Sequence, residues 1–291
     1  MTVPRTATIV SGGVRAMSGA RGRRGPVAGL LSASVARGRI EVLQVLRSKD
    51  SLAFTLALPV VMLALLASIF HGAVDGTGVI YSQLFTAGLL AGGLASTSFL
   101  NVGLSIATER DNGTLKRLAG TAMPRAAYFA GKAIAVVSLS ILEVTVIMVI
   151  GRAAYGISLP NSPSRWWTFV WVTVLGGAAM AVVGVAASSL PRTARSAGAV
   201  LNLPFLVLEF ISGVFVPFTS LSHGLYSVAG LFPLRWIAEG YRSALLPSQF
   251  AKAEPAHVWD HREMATVLAI WCVAGVAVSL RKFRWTELGE R

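Results

Sequence analysis

Six stretches of this chain approach the ~20 apolar residues that a helix needs to cross a bilayer. They are Leu52–Phe70, Gln83–Ala107, Ala133–Gly151, Trp166–Leu190, Gly198–Val216 and Met264–Leu280. Charge enters only two of them, as Glu143 in the third and Glu209 in the fifth. Each run is too long for an ordinary buried strand. In hydrocarbon the backbone must satisfy its own polar groups, so such runs fold as helices. Between them they leave no room for a soluble domain. The expected fold class is an all-α polytopic membrane bundle of six transmembrane helices.

Composition agrees. Hydrophobic residues make up 54% and charged residues 13%, against about 25% charged in soluble domains. The single cysteine, Cys272, excludes an intrachain disulfide framework and a multi-cysteine metal site. The net charge of +13 would suggest nucleic acid in a soluble chain. In a membrane chain it suggests loop asymmetry. Six spans place both termini on one side. With the termini inside, 20 of the 26 Lys and Arg residues are cytosolic and 6 are external, which fits the positive-inside rule. Trp166, Trp167, Trp171, Trp236, Trp259 and Trp285 fall near span ends, where indole rings favour the headgroup layer.

The flanking segments divide the chain further. Residues 1–26 are rich in Gly, Ser and Arg and are expected to be mobile, with Met1 or Met17 as the start. Residues 27–50 form an amphipathic helix. Leu31, Val35, Val42, Val45 and Leu46 share one face, and Arg37, Glu41 and Gln44 the other. Such a helix lies in the membrane interface, its apolar stripe in lipid and its cations near phosphates. Val35, Arg39, Val42 and Leu46 represent it. The same pattern suits a cytosolic helix packed on a partner. Residues 51–285 hold the six spans, and 286–291 a cytosolic tail.

Catalytic signatures are missing. The chain has no G-x-x-x-x-G-K-[ST] phosphate loop, no H-E-x-x-H and no G-x-S-x-G. His257 and His261 stand four apart in a polar loop, and no metal site is expected there. Glu143 and Glu209 are the sharper signal, because charge at mid-span costs a few kcal/mol or more. They would serve a proton relay, contact a cationic substrate, or make a protonated hydrogen bond between helices. With Phe205 and Phe215 they form a candidate substrate pathway. Gly88 and Gly92, with the small residues of 176–189, permit close helix packing within the bundle or between subunits.

The inner loop between spans two and three reads ATERDNGTLKRLAGTAMPRAAYFAGK, 107–132. Asp111-Asn112-Gly113 signals a turn. Thr114 is placed to cap a short helix, whose Leu115 and Leu118 would offer a partner apolar contact inside a rim of Lys116 and Arg117. A second stretch, SGVFVPFTSLSHGLYSVAGLFPLRWIAEGYRSAL, spans 212–245. The two stretches together resemble the ABC-2 family of ABC transporter permeases, including antibiotic exporters of the daunorubicin-resistance type. Glu109, Arg110, Gly113, Thr114, Leu115, Lys116, Arg117 and Leu118 carry the first likeness, with Pro124, Tyr128 and Gly131. Ser212, Gly213, Val214, Phe215, Pro217, Leu221, Pro233 and Arg242 carry the second.

The resemblance covers about residues 28–285. It implies a multi-pass subunit of the bacterial plasma membrane that exports hydrophobic or amphipathic compounds. It further implies that a separate subunit binds ATP and magnesium, and that a second permease copy or paralogue completes the pathway. Glu109–Leu118 would then be coupling residues, and a re-entrant hairpin around 215–234 would cap the exit. A proton-coupled carrier using Glu143 and Glu209, or a non-transport membrane scaffold, are the competing readings.

Overall fold

The structure is a computed structural model, and it describes residues 26–282 apart from positions 75, 122, 218–220 and 255. Residues 1–25, expected to be mobile, and the tail with Trp285 lie outside the described residues. The described chain is helical, its one β contact an isolated bridge between Ala73 and Ile80. The helices are α1 (Pro26–Arg47), α2 (Lys49–Ile69), α3 (Tyr81–Ala95), α4 (Asn101–Asp111), α5 (Thr114–Ala119), α6 (Arg125–Tyr155), α7 (Pro163–Ala187), α8 (Ala194–Ile211), α9 (His223–Ala229), α10 (Pro233–Leu245) and α11 (His261–Lys282). A π-turn, Ser96–Leu100, joins α3 to α4 without a break.

Among the described residues, five helices are long and apolar enough to cross a membrane: Tyr81–Asp111, Arg125–Tyr155, Pro163–Ala187, Ala194–Ile211 and His261–Arg281. The first expected span forms α2, whose apolar stretch Thr55–Ile69 is shorter. The 31 residues of α6 extend roughly 46 Å at 1.5 Å per residue, well beyond a ~30 Å hydrocarbon core. Its first turns, with Arg125 and Lys132, therefore have room to lie outside the lipid tails.

The centre of the bundle is α3, in which every residue from Leu84 to Ala95 is buried. Small residues make this possible. A Cβ on Gly88 would sit 2.7 Å from the Val214 carbonyl oxygen, and one on Gly184 would sit 2.6 Å from that of Phe99. The small-residue faces thus pack within the bundle. Leu90, Leu94, Phe99, Met180, Leu201, Ile237 and Tyr241 belong to the core they enclose.

Helix α1 lies along α6 with its polar side inward. Ser34, Gly38 and Glu41 are buried, while Leu31 and Val35 are 61% and 60% exposed. The two helices meet at a pair of glycines. A Cβ on Gly38 would come within 2.7 Å of Ile134, and one on Gly131 within 2.8 Å of the Arg37 Cβ. Arg39 and Leu46 are exposed and Val42 is half-buried.

At the opposite end, α9 and α10 precede α11. All of α10 is buried. Arg242 is fully enclosed, and its Nε donates to Glu254 Oε1 at 2.5 Å. Trp236, expected at a headgroup boundary, is instead 3% exposed and donates to the Gly230 carbonyl. Trp166 and Trp167 are exposed. Between α8 and α10 the exposed surface is apolar, with Leu225, Val228 and Leu231.

Candidate functional site

The loop after α4 turns sharply because Gly113 adopts φ +70°, a region that glycine enters without steric cost. Thr114 is not the cap. It is the first residue of α5, and its N–H donates to Asn112 Oδ1 at 3.0 Å. Arg117 donates to the Thr114 hydroxyl at 3.0 Å. Lys116 and Arg117 are exposed, as expected for a rim. Leu115 is not available to a partner. It is fully buried among Val102, Ile106, Tyr128 and Val136 of the same chain. Leu118 is half-buried against that cluster. A helix this short has too few residues to show a hydrophobic face, so the sequence did not indicate which leucine points inward.

Glu109 does not face outward either. Its Oε1 receives Arg37 Nη2 at 2.6 Å and Lys132 Nζ at 2.9 Å, and its Oε2 accepts from the Tyr128 hydroxyl at 2.7 Å. Glu41 lies 2.5 Å from Arg37 and 2.7 Å from Lys132. Lys132 also donates to the Ser105 hydroxyl. Two carboxylates and two cations thus join α1, α4 and α6. Arg37 is consumed by this network rather than left near lipid phosphates. Its neighbours extend the junction. Arg110 donates to the Ser188 carbonyl just past α7 at 2.7 Å, and Asp111 accepts from the Ala194 N–H that opens α8 at 3.0 Å. Sequence reasoning selected Glu109 and Arg110 but missed Glu41, Arg37 and Lys132 as their partners. The available signal was a carboxylate opposite the apolar stripe of α1, which needs a cation if that side is buried.

A second constellation lies deeper. A cavity of about 780 Å³ opens between α2, α3, α6 and α8. Glu143, Glu209, Phe205 and Phe215 all line it, so the four residues expected along a pathway meet at one place. The π-turn supplies Ser96 and Leu100 to the wall. It also presents Thr97, whose hydroxyl donates to Glu143 Oε2 at 2.5 Å. π-turns inside α-helices recur at functional sites. Pro59 and Gly92 border the same space. Phe205 stacks on Phe99 at 5.8 Å, and Phe215 tilts against Phe210 at 5.4 Å. Among the described residues, the lining contains no Lys, Arg or His.

The remaining polar candidates do not converge. His257 faces the Lys252 carbonyl and His261 the Ser243 hydroxyl. Among the described residues, no group of three or more His, Cys, Asp or Glu side chains is placed to hold a metal.

Residues 35–246 match the family described as ABC-2 type transporter. The chain belongs to that family. Membership implies the permease component of an ABC exporter, a membrane transport component rather than the ATP-hydrolysing one. ABC-2 permeases generally work with an ABC ATPase subunit. No match was found among curated proteins. The matched segment runs from α1 to the end of α10, so both constellations lie inside it.

Proposed function

We propose that this ABC-2 chain is a six-span permease that exports hydrophobic or amphipathic compounds, such as drugs or lipid-like molecules. In this reading α2 is the first span, both termini are cytoplasmic, and α1 rests in the inner interface with Leu31 and Val35 in lipid. The segment with α9 and α10 re-enters from outside and caps the exit. A separate ATPase subunit binds ATP and magnesium, and a second permease, identical or paralogous, completes the pathway.

The observation that carries this reading is the cavity. Its walls are mainly aliphatic and aromatic and it lies among the span helices, the setting expected for a greasy cargo. The ATPase would meet the exposed edge of α5 at Lys116, Arg117 and Leu118. Glu109, Arg110, Gly113, Thr114 and Leu115 would pass its movement on rather than touch it. Glu109 ties the loop to α1 and α6, and Arg110 and Asp111 tie it to α7 and α8. A displacement of α5 therefore moves the inner ends of several helices together, as a switch between inward and outward access requires.

The test uses inverted membrane vesicles containing this chain and its cognate ATPase. ATP is expected to drive accumulation of the neutral dye Nile red. Accumulation that follows the pH gradient and survives removal of ATP would replace the exporter with a proton-coupled carrier.

A further inference from the structure

Glu143 is 2% exposed. One of its oxygens accepts from the Thr97 hydroxyl, a neutral donor. The other receives no hydrogen bond among the described residues. That oxygen lies where a side chain on Gly93 would begin, 2.5 Å from the Cβ position. Glu209 reaches the same wall from another helix, its Oε1 3.0 Å from the Cβ position of Gly92. Its carboxylate has neither an ion pair nor a hydrogen bond among the described residues. Two adjacent glycines thus make room for two carboxylates from α6 and α8.

Buried carboxylates elsewhere in the molecule have cations. Glu41 and Glu109 have Arg37 and Lys132, Glu254 has Arg242, and Glu239 has Arg235 at 4.0 Å. Removing a carboxylate from water without a counter-charge is costly. Among the described residues no such charge faces Glu143, which is buried like those four, or Glu209, which is half-buried at the same cavity. The volume of about 780 Å³ suits a drug-sized molecule.

We infer that the cavity binds an amphipathic organic cation, its charge held by Glu143 and Glu209 and its apolar body lying against Phe205, Phe215, Leu89 and Leu100. The inference rests on the exporter reading of this cavity and narrows its cargo. The cation provides the missing counter-charge, and the aromatic wall accepts the rest of the molecule.

The experiment places the full chain in lipid nanodiscs and measures equilibrium binding of two compounds, with empty nanodiscs subtracted. One is tetraphenylphosphonium, the other uncharged triphenylphosphine oxide. The wild-type chain is expected to bind the phosphonium at least tenfold more tightly. The Glu143→Gln/Glu209→Gln double variant should lose that preference while holding the oxide within twofold, which also reports that it is folded. Equal wild-type affinities would overturn the inference, and this comparison stands even if the double variant does not fold. A preference that survives both substitutions would overturn it too, as would failure to bind either compound. The exporter reading is judged separately, on ATP-driven uptake of neutral Nile red.

Discussion

The end of the bundle where α1, α4 and α6 meet and the middle of the bundle place glutamate in opposite settings. At that end, Glu41 and Glu109 share Arg37 and Lys132 at 2.5–2.9 Å, and Tyr128 closes the network. In the middle, Glu143 and Glu209 face a cavity whose lining has no cation among the described residues. The paired carboxylates hold helices in register. Glu143 and Glu209 have no cation partner among the described residues, and the glycines beside them make room for their carboxyl groups. Burial alone therefore does not separate the two groups. The presence or absence of a counter-charge among the described residues does.

The comparison can be broken most directly at Glu109. Glu109→Ala leaves Arg37 and Lys132, whose side chains are 12% and 5% exposed, with Glu41 as their one shared carboxylate among the described residues, so one buried positive charge loses its counter-charge. The expected loss is about 3–5 kcal/mol, read as a large drop in melting temperature of the solubilised chain. A loss below about 1 kcal/mol would place the Glu109 network on a par with the middle.

A smaller effect is expected for Gly93→Ala. The new methyl group would displace the Glu143 carboxyl and strain its bond from Thr97, costing about 1 kcal/mol. Phosphonium binding should weaken with it. Unchanged binding would mean that the glycine pair does not shape the site.

Glu143→Gln orphans no cation, and an amide oxygen can still accept from Thr97. Stability should change by less than about 1 kcal/mol, against the large loss at Glu109. A loss as large as that one would show that the middle carboxylate is structural.

The smallest effect on stability belongs to Lys116→Ala with Arg117→Ala. Both residues are exposed, so the fold should shift by no more than about 0.5 kcal/mol. Recovery of the ATPase in pull-down should nevertheless fall several-fold. Wild-type recovery would remove the exposed edge of α5 from the coupling assignment.

The positions of the span helices were legible because long uncharged runs have few alternatives. Their facing was not. A helix with lipid on one side and protein on the other is apolar all round, so Leu201 and Leu203 look alike in sequence, yet one is buried and the other 67% exposed. The two glutamates of the cavity lining were legible for the same reason in reverse: a carboxylate stands out against such a background. The network around Glu109 joins residues about 70 positions apart. Spacing cannot show that Arg37 and Lys132 are its partners, and the glycine contact that brings α1 onto α6 involves two unremarkable positions. Leu115 was misjudged as a docking residue because it fills a local hole that only the packed helices define.

The turn at Ser96–Leu100 fixes a phase relation. A π-turn inserts one residue into an α-helical ladder, which rotates everything beyond it by about 100° relative to an unbroken helix. Upstream of this offset, Gly92 and Gly93 look into the cavity. Downstream, Glu109 looks toward Lys132. Deleting one residue between Ser96 and Leu100 would restore a regular α-helix and keep the length needed to span. It would also turn one end away from its partners. The two ends of this long helix are thus keyed to each other by a single added residue, as the bits of a key are fixed along one shaft.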